Sequence, residues 1–161
     1  MTSLIYSAYI DPFFSVNPAD GRVVSNFIVQ ALKGEDITVY GDGLQTRSFQ
    51  YIHDLVDGLI LLMNSDETRP VNIGNGHEFD MLEFARLVRE IVAKVQREDG
   101  NAPVHQAKIV HKPMPIDDPQ KRRPDTTRAK EALGWQPRWT VEMGVEEMVR
   151  YYKAKIAEGS I

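Results

Sequence analysis

Cysteine is missing from all 161 residues. That excludes a disulfide framework, a thiolate nucleophile and a cysteine-ligated zinc. No run approaches the roughly 18 consecutive apolar residues of a membrane span. The opening MTSLIYSAYI lacks a basic n-region, so no signal peptide is read and a cytoplasmic setting is expected. Net charge is −4, which does not favour non-specific nucleic-acid binding. His53, His77, His105 and His111 are scattered, with no His-Glu-x-x-His, so no metal site is expected. A P-loop lysine pattern and a Gly-x-Ser-x-Gly elbow are also absent.

What is present suits one soluble domain with a single core, at 42 % apolar and 26 % charged residues. Residues 1–19 fit no clear template. From Asp20 the signals sharpen. Val23, Val24, Phe27, Ile28, Ala31 and Leu32 recur at helical spacing, and Gly34 stands where a C-terminal cap belongs. ITVY (37–40) reads as a short strand and 41–46 as a loop. Residues 54–64 read as a helix apolar nearly all round, which predicts burial on more than one side. PVNIG (70–74) reads as a buried strand. Asp80 caps a helix running to about Val95, with Glu83 completing a capping box. AKIVHKPM (107–114) reads as a strand, and DDPQKRRPD (117–125) as a charged loop. Asp125 or Thr126 caps a short helix ending at Gly134, and a last amphipathic helix starts near Thr140. Strands alternating with helices predict an α/β fold.

Two glycine pairs invite a dinucleotide reading. Such a site needs three glycines between a strand and a helix, so that the backbone can approach a pyrophosphate. GDGLQT (41–46) lacks the third, and GNGHEF (74–79) has Phe79 in its place, so both read as turns. Arg47 follows the first turn, and Arg122 and Arg123 lie in a proline-bounded loop. Arginine suits phosphate because its planar fork donates two parallel hydrogen bonds and stays charged. Periodicity alone equally allows solvated surface arginines. Tyr151 and Lys155 have Tyr-x-x-x-Lys spacing, but residues four apart on a helix are neighbours by geometry. Core packing for Tyr151 or Tyr152 and solvent for Lys155 is the preferred reading.

The string GRVVSNFIVQALKGEDITVYGDGLQTRSFQYIHDLVDGLILLMNSDETRPVNIGNG, continued by DDPQKRRPDTTRAKEALGWQP, resembles the C-terminal half of UDP-glucuronate decarboxylases. These belong to the extended short-chain dehydrogenase/reductases, the NAD-dependent epimerase/dehydratase superfamily. The likeness runs from about Asp20 to Lys153. It implies the C-terminal substrate-binding lobe over 20–161, without most of the Rossmann domain, and leaves 1–19 as an unmatched N-terminal segment. It implies that NAD oxidises C4 of UDP-glucuronate, that the β-keto acid loses carbon dioxide, and that hydride returns to give UDP-xylose.

Roles follow by the same likeness. Arg47 and Arg123 would clamp the diphosphate, with Arg122 beside them near the sugar or phosphate. Val39 and Tyr40 would border the uracil, and Arg22 and Val23 would lie along the nucleotide. The family's glycine-rich NAD loop and catalytic Tyr-x-x-x-Lys have no match here. The chain alone is therefore expected to be inactive, to hold no NAD and to bind at most the UDP end. Its apolar 54–64 helix and an unpaired strand edge at 71–73 predict self-association as a homo-oligomer, unless Tyr6, Tyr9, Phe13 and Phe14 cover the same surface. The alternatives are a non-catalytic self-associating remnant, or the equivalent lobe of a UDP-sugar epimerase or nucleotide-sugar dehydratase.

Overall fold

A computed structural model describes residues 8–10, 22–98, 100, 107–114 and 119–161. In chain order the elements are β1 (Ala8–Ile10), α1 (Val23–Lys33), β2 (Ile37–Tyr40), β3 (Thr46–Tyr51), α2 (Ile52–Met63) and β4 (Glu78–Asp80). They continue with α3 (Met81–Glu98), β5 (Ile109–Lys112), β6 (Lys121–Arg122), α4 (Thr127–Leu133) and α5 (Val141–Ala157). The fold is α/β, as the alternation predicts.

The caps behave as their residue types dictate. Gly34 ends α1 with φ 71° and Gly134 ends α4 with φ 63°, a conformation in which a side chain is strained. Asp80 Oδ1 accepts from Glu83 N at 2.6 Å at the start of α3, which then runs three residues past Val95 to Glu98. Thr140 Oγ1 accepts from Met143 N at the start of α5. At α4 the backbone cap is Thr126, but Asp125 does the bonding: its Oδ1 accepts from the Thr127 amide and hydroxyl. Those two bonds hold the Asp125 carboxyl below its usual range.

β3 is the hub of the larger sheet. Its first half pairs antiparallel with β4 and parallel with β6, and its second half pairs parallel with β1. Thr46 and Arg47 bond to both β4 and β6, so those two strands take opposite edges of β3. The smaller sheet is β2 with β5, parallel, with Val39 opposite His111 and Tyr40 opposite Lys112.

The core forms where α1, α3 and α5 pack together against β3 and β4. Phe49 and Phe79 point to the same side of β3 and β4 and meet Phe84 of α3; the Phe49–Phe84 rings stack at 4.0 Å. Val145, Met148, Val149 and Tyr152 supply the buried stripe of α5. Tyr152 is therefore the core tyrosine, and its burial pushes the phenol pKa up. Lys155 turns outward to Glu158 at 2.8 Å, as expected for a helix-surface lysine.

A second, smaller cluster joins α2 to α4 through Leu55, Ile73, Ala129 and Trp135. Gly58 makes this approach possible, because a Cβ there would lie 2.6 Å from Ile73 Cγ2. Asp54 secures it. This side chain is 2 % exposed, and its carboxylate accepts from Arg138 N at 3.0 Å and Trp139 N at 2.9 Å. The Trp135 indole donates to the Asp54 carbonyl at 2.9 Å.

Four expectations are corrected. Residues 70–74 form no strand: Ile73 packs under Gly58, Asn72 Nδ2 donates to the Asp125 carbonyl at 3.0 Å, and the strand that pairs with β3 is β4. The unpaired edge at 71–73 falls with it. The α2 helix is not buried on several sides. Only Asp54, Leu55 and Gly58 are buried, while Val56, Leu59, Ile60, Leu61 and Met63 are exposed. Thr46, expected as the end of the 41–46 loop, opens the strand TRSFQY, and the 117–125 loop contains the two-residue β6. Within 1–19, the backbone of Ala8–Ile10 forms β1; Tyr6, Phe13 and Phe14 lie outside the described residues.

Candidate functional site

Strand register brings two of the three arginines together, Arg47 and Arg122, and leaves Arg123 outside the pairing, near Glu78 on the other face of β3. Arg47 of β3 stands directly opposite Arg122 of β6, and Thr46 opposite Lys121. Lys121, Arg122 and Arg123 are all exposed, so three consecutive cations border the hub strand.

The hub strand also sorts its side chains by face. Successive residues alternate, so Arg47 shares a side with Phe49 and Phe79, at the rim of the main core. Thr46, Ser48 and Glu78 share the other side. There the Thr46 hydroxyl donates to Glu78 Oε1 at 2.6 Å, and the Ser48 hydroxyl donates to the Asn75 carbonyl. Arg123 Nη1 lies 3.9 Å from Glu78 Oε2, an attraction too long to be a hydrogen bond.

Both ends of the arginine segment are held. Upstream, Arg47 Nη1 donates to Pro119 O at 2.8 Å and Thr46 N donates to Gln120 O at 2.8 Å. Downstream, Pro124 sits against Gly74, where a Cβ would lie 2.8 Å from Pro124 Cγ, and Asn72 holds the Asp125 carbonyl.

The remaining expected residues are spread more widely. Tyr40 is 45 % exposed at the end of β2. Val39 is fully buried in the main core, so its side chain serves packing and only its backbone borders the surface. Arg22 is exposed at the start of α1, where its carbonyl accepts from the Ser25 hydroxyl and from Asn26 N. Arg22 is an electrostatic neighbour of Tyr152 on α5, and Val23 is partly buried against the core. Neither belongs to the β3–β6 junction. Sequence reasoning missed Thr46, Glu78 and Pro119, which support the arginines. Only alternation of Phe49 and Tyr51 could have marked β3 as a strand and so suggested partners for Thr46.

The glycine turns are filled by protein. At Gly43, φ 77°, a Cβ would lie 2.7 Å from Leu82 and 2.8 Å from Val39. Asp42 Oδ1 closes the turn on Leu44 N at 3.0 Å. GNG leads into β4 and not into a helix. Neither turn offers backbone amides at a helix start, so neither has the form of a dinucleotide-phosphate loop. Among the described residues there is also no cluster of three metal-ligating side chains, and no helix long and apolar enough to cross a membrane.

Comparison with known proteins places this geometry. Residues 15–148 match the family model described as GDP-mannose 4,6 dehydratase. UDP-glucuronic acid decarboxylase 4 of Arabidopsis thaliana is 49 % identical over 137 residues, which are 85 % of this chain and 28 % of that protein. The chain therefore spans less than a third of that relative. The crystal structure of UDP-glucose 4-epimerase from Thermotoga maritima, solved with UDP-glucose, superposes with a TM-score of 0.72 at 29 % identity, covering 91 % of this chain and 42 % of that one. UDP-glucuronic acid 4-epimerase from Bacillus cereus, solved with UDP-glucuronic acid and NAD, has a TM-score of 0.68 over 86 % of this chain and 41 % of its own; at 22 % identity it speaks to the fold alone. By fold, by family model and by its decarboxylase relatives, this chain belongs to the GDP-mannose 4,6 dehydratase family, as a partial α/β lobe of it.

Proposed function

We propose that this chain is the UDP-sugar-binding part of an NAD-dependent UDP-glucuronate decarboxylase, which forms UDP-xylose and carbon dioxide in the cytoplasm. The observation that carries the reading is the cross-strand pair Arg47–Arg122, followed at once by Arg123. Arginines at paired positions on neighbouring strands put two permanent positive charges in one region, and the planar guanidinium suits a phosphate oxygen pair. Tyr40 and the backbone of Val39 would border the uracil, and Arg22 and Val23 would lie along the nucleotide. These residues bind and orient; NAD, the cofactor of the reaction, is not their ligand in this reading.

Calorimetric titration of UDP tests the proposal. Hydrogen bonds to charged groups contribute about 1.5–3 kcal/mol each. Arg123→Ala is therefore expected to weaken UDP binding by about ten- to a hundredfold, with uridine affinity little changed. Equal UDP affinity in both proteins removes Arg123 from the site. Absence of UDP binding in the parent chain favours a non-catalytic remnant.

Self-association is the second part of the reading. Val56, Leu59, Ile60 and Met63 form one stripe at spacings of three and four along α2, and all are exposed. A stripe of that kind recruits a partner. Light scattering during size exclusion is expected to show a homo-oligomer at micromolar concentrations and above. A monomer across a wide concentration range rejects it.

A further inference from the structure

We infer that Arg47 is also a positioning residue: its guanidinium pins the strand that carries the other two arginines. This deepens the UDP-binding reading and rests on it only for its consequence in affinity.

β6 is two residues long and exposed, so its own ladder with β3 has little to protect it from water. What fixes it lies at its ends. The downstream end is wedged by Pro124 against Gly74 and tied by Asn72 to the Asp125 carbonyl. The upstream end is held by the Thr46 amide on Gln120 O and by Arg47 Nη1. That single nitrogen donates to Thr46 O at 2.7 Å and to Pro119 O at 2.8 Å. It therefore spans from the backbone of β3 to the backbone just before β6. Charged donors make the stronger hydrogen bonds, and Pro119 has no amide of its own with which to join the ladder. The guanidinium takes over where the ladder cannot begin. With both ends fixed, Arg122 stays opposite Arg47 and Arg123 stays within reach of Glu78. Loss of the upstream pin would leave that end held only by the Thr46–Gln120 bond and the short exposed ladder.

The pin predicts order in the absence of any nucleotide. Backbone order parameters of residues 120–123 in the full chain are expected near about 0.85, the value of rigid backbone. In Arg47→Ala they are expected to fall below about 0.6, while α3 stays rigid. Arg47→Lys keeps one charged donor and is expected to recover part of the order. If Arg47→Ala does not give folded protein, Arg47→Met keeps the apolar stem and carries the same expectation. Unchanged order in the variants overturns the inference. So does an equal loss in α3, which would make Arg47 a support of the whole sheet, and so does disorder of 120–123 in the parent chain. These outcomes do not depend on UDP binding, so the pin and the binding reading fail separately. If both hold, the UDP titrations of Arg47→Ala, Arg123→Ala and the double variant are non-additive: removing Arg123 costs less than threefold once Arg47 is gone. Additive losses would limit Arg47 to direct contact.

Discussion

Asp54→Ala is expected to lower the stability of this chain by about 3 kcal/mol or more. The side chain is almost wholly buried, and its oxygens face backbone donors rather than water. Its two oxygens accept from the amides of Arg138 and Trp139, which precede α5. Alanine leaves those part-buried amides without their acceptor, and each such group costs about 1–3 kcal/mol where water does not replace it. The same residue offers its carbonyl to the Trp135 indole, so the loss falls where α2, α4 and the entry to α5 meet. Asp54→Asn keeps one acceptor and is expected to cost less, about 1–2 kcal/mol. Urea unfolding measures both, with a lower midpoint and an unchanged slope. An alanine variant within 1 kcal/mol of the parent would show that water or the backbone replaces the carboxylate.

Phe84→Ala should cost about 3–5 kcal/mol, the range for an aromatic removed from a packed core. Phe84 is fully buried on α3 and touches three other rings: Phe27 of α1 at 6.1 Å, Phe49 of β3 at 4.0 Å and Phe79 of β4 at 6.3 Å. Its removal opens a void between the helix layer and the hub strand. Collapse cannot fill it, because the ring's neighbours belong to three different elements, the helix α1 and the paired strands β3 and β4. Phe84→Leu keeps much of the volume and should cost less than half as much. Thermal unfolding checks the pair. Similar midpoints for the two variants would mean that cavity volume does not set the cost. Phe49 joins the core to the site, since it follows Arg47 by two residues on the same face of β3. Loosening the core there is also expected to loosen the arginine register.

The helices were legible because their information is local. Gly34 and Gly134 end α1 and α4 where the chain reverses, Asp80 and Thr140 begin α3 and α5, and each signal lies within four residues of the bond it makes. The strand ITVY was legible for a similar reason, through β-branched and aromatic residues in one run. The hub strand was not. Thr46, Arg47, Ser48 and Gln50 make TRSFQY look like a polar loop, and it is a strand because β1, β4 and β6 come to it from 27 or more residues away. The expectation for 70–74 failed in the opposite sense. Its residues favour a strand, but the nearest edge of β3 is taken by β4; Asn72 bonds instead to the Asp125 carbonyl, and Ile73 packs under Gly58.

The same division runs through the site. The sequence by itself determined that arginines stand at 47, 122 and 123, that proline brackets the latter two, and that the whole string resembles a nucleotide-sugar enzyme family. It also determined the amphipathic stripes of α1, α3 and α5, since a helix repeats its pattern within a few residues. Only the tertiary structure decided that Arg47 and Arg122 are cross-strand neighbours, that Arg123 faces Glu78, and that Val39 is spent on the core. It alone decided which apolar residues are covered, leaving Met63 83 % exposed while Leu55 is buried. The physical reason is range. Capping and helical periodicity are contacts between near neighbours in the chain, whereas strand register and burial are contacts between segments tens of residues apart, settled only when the segments compete for the same edge.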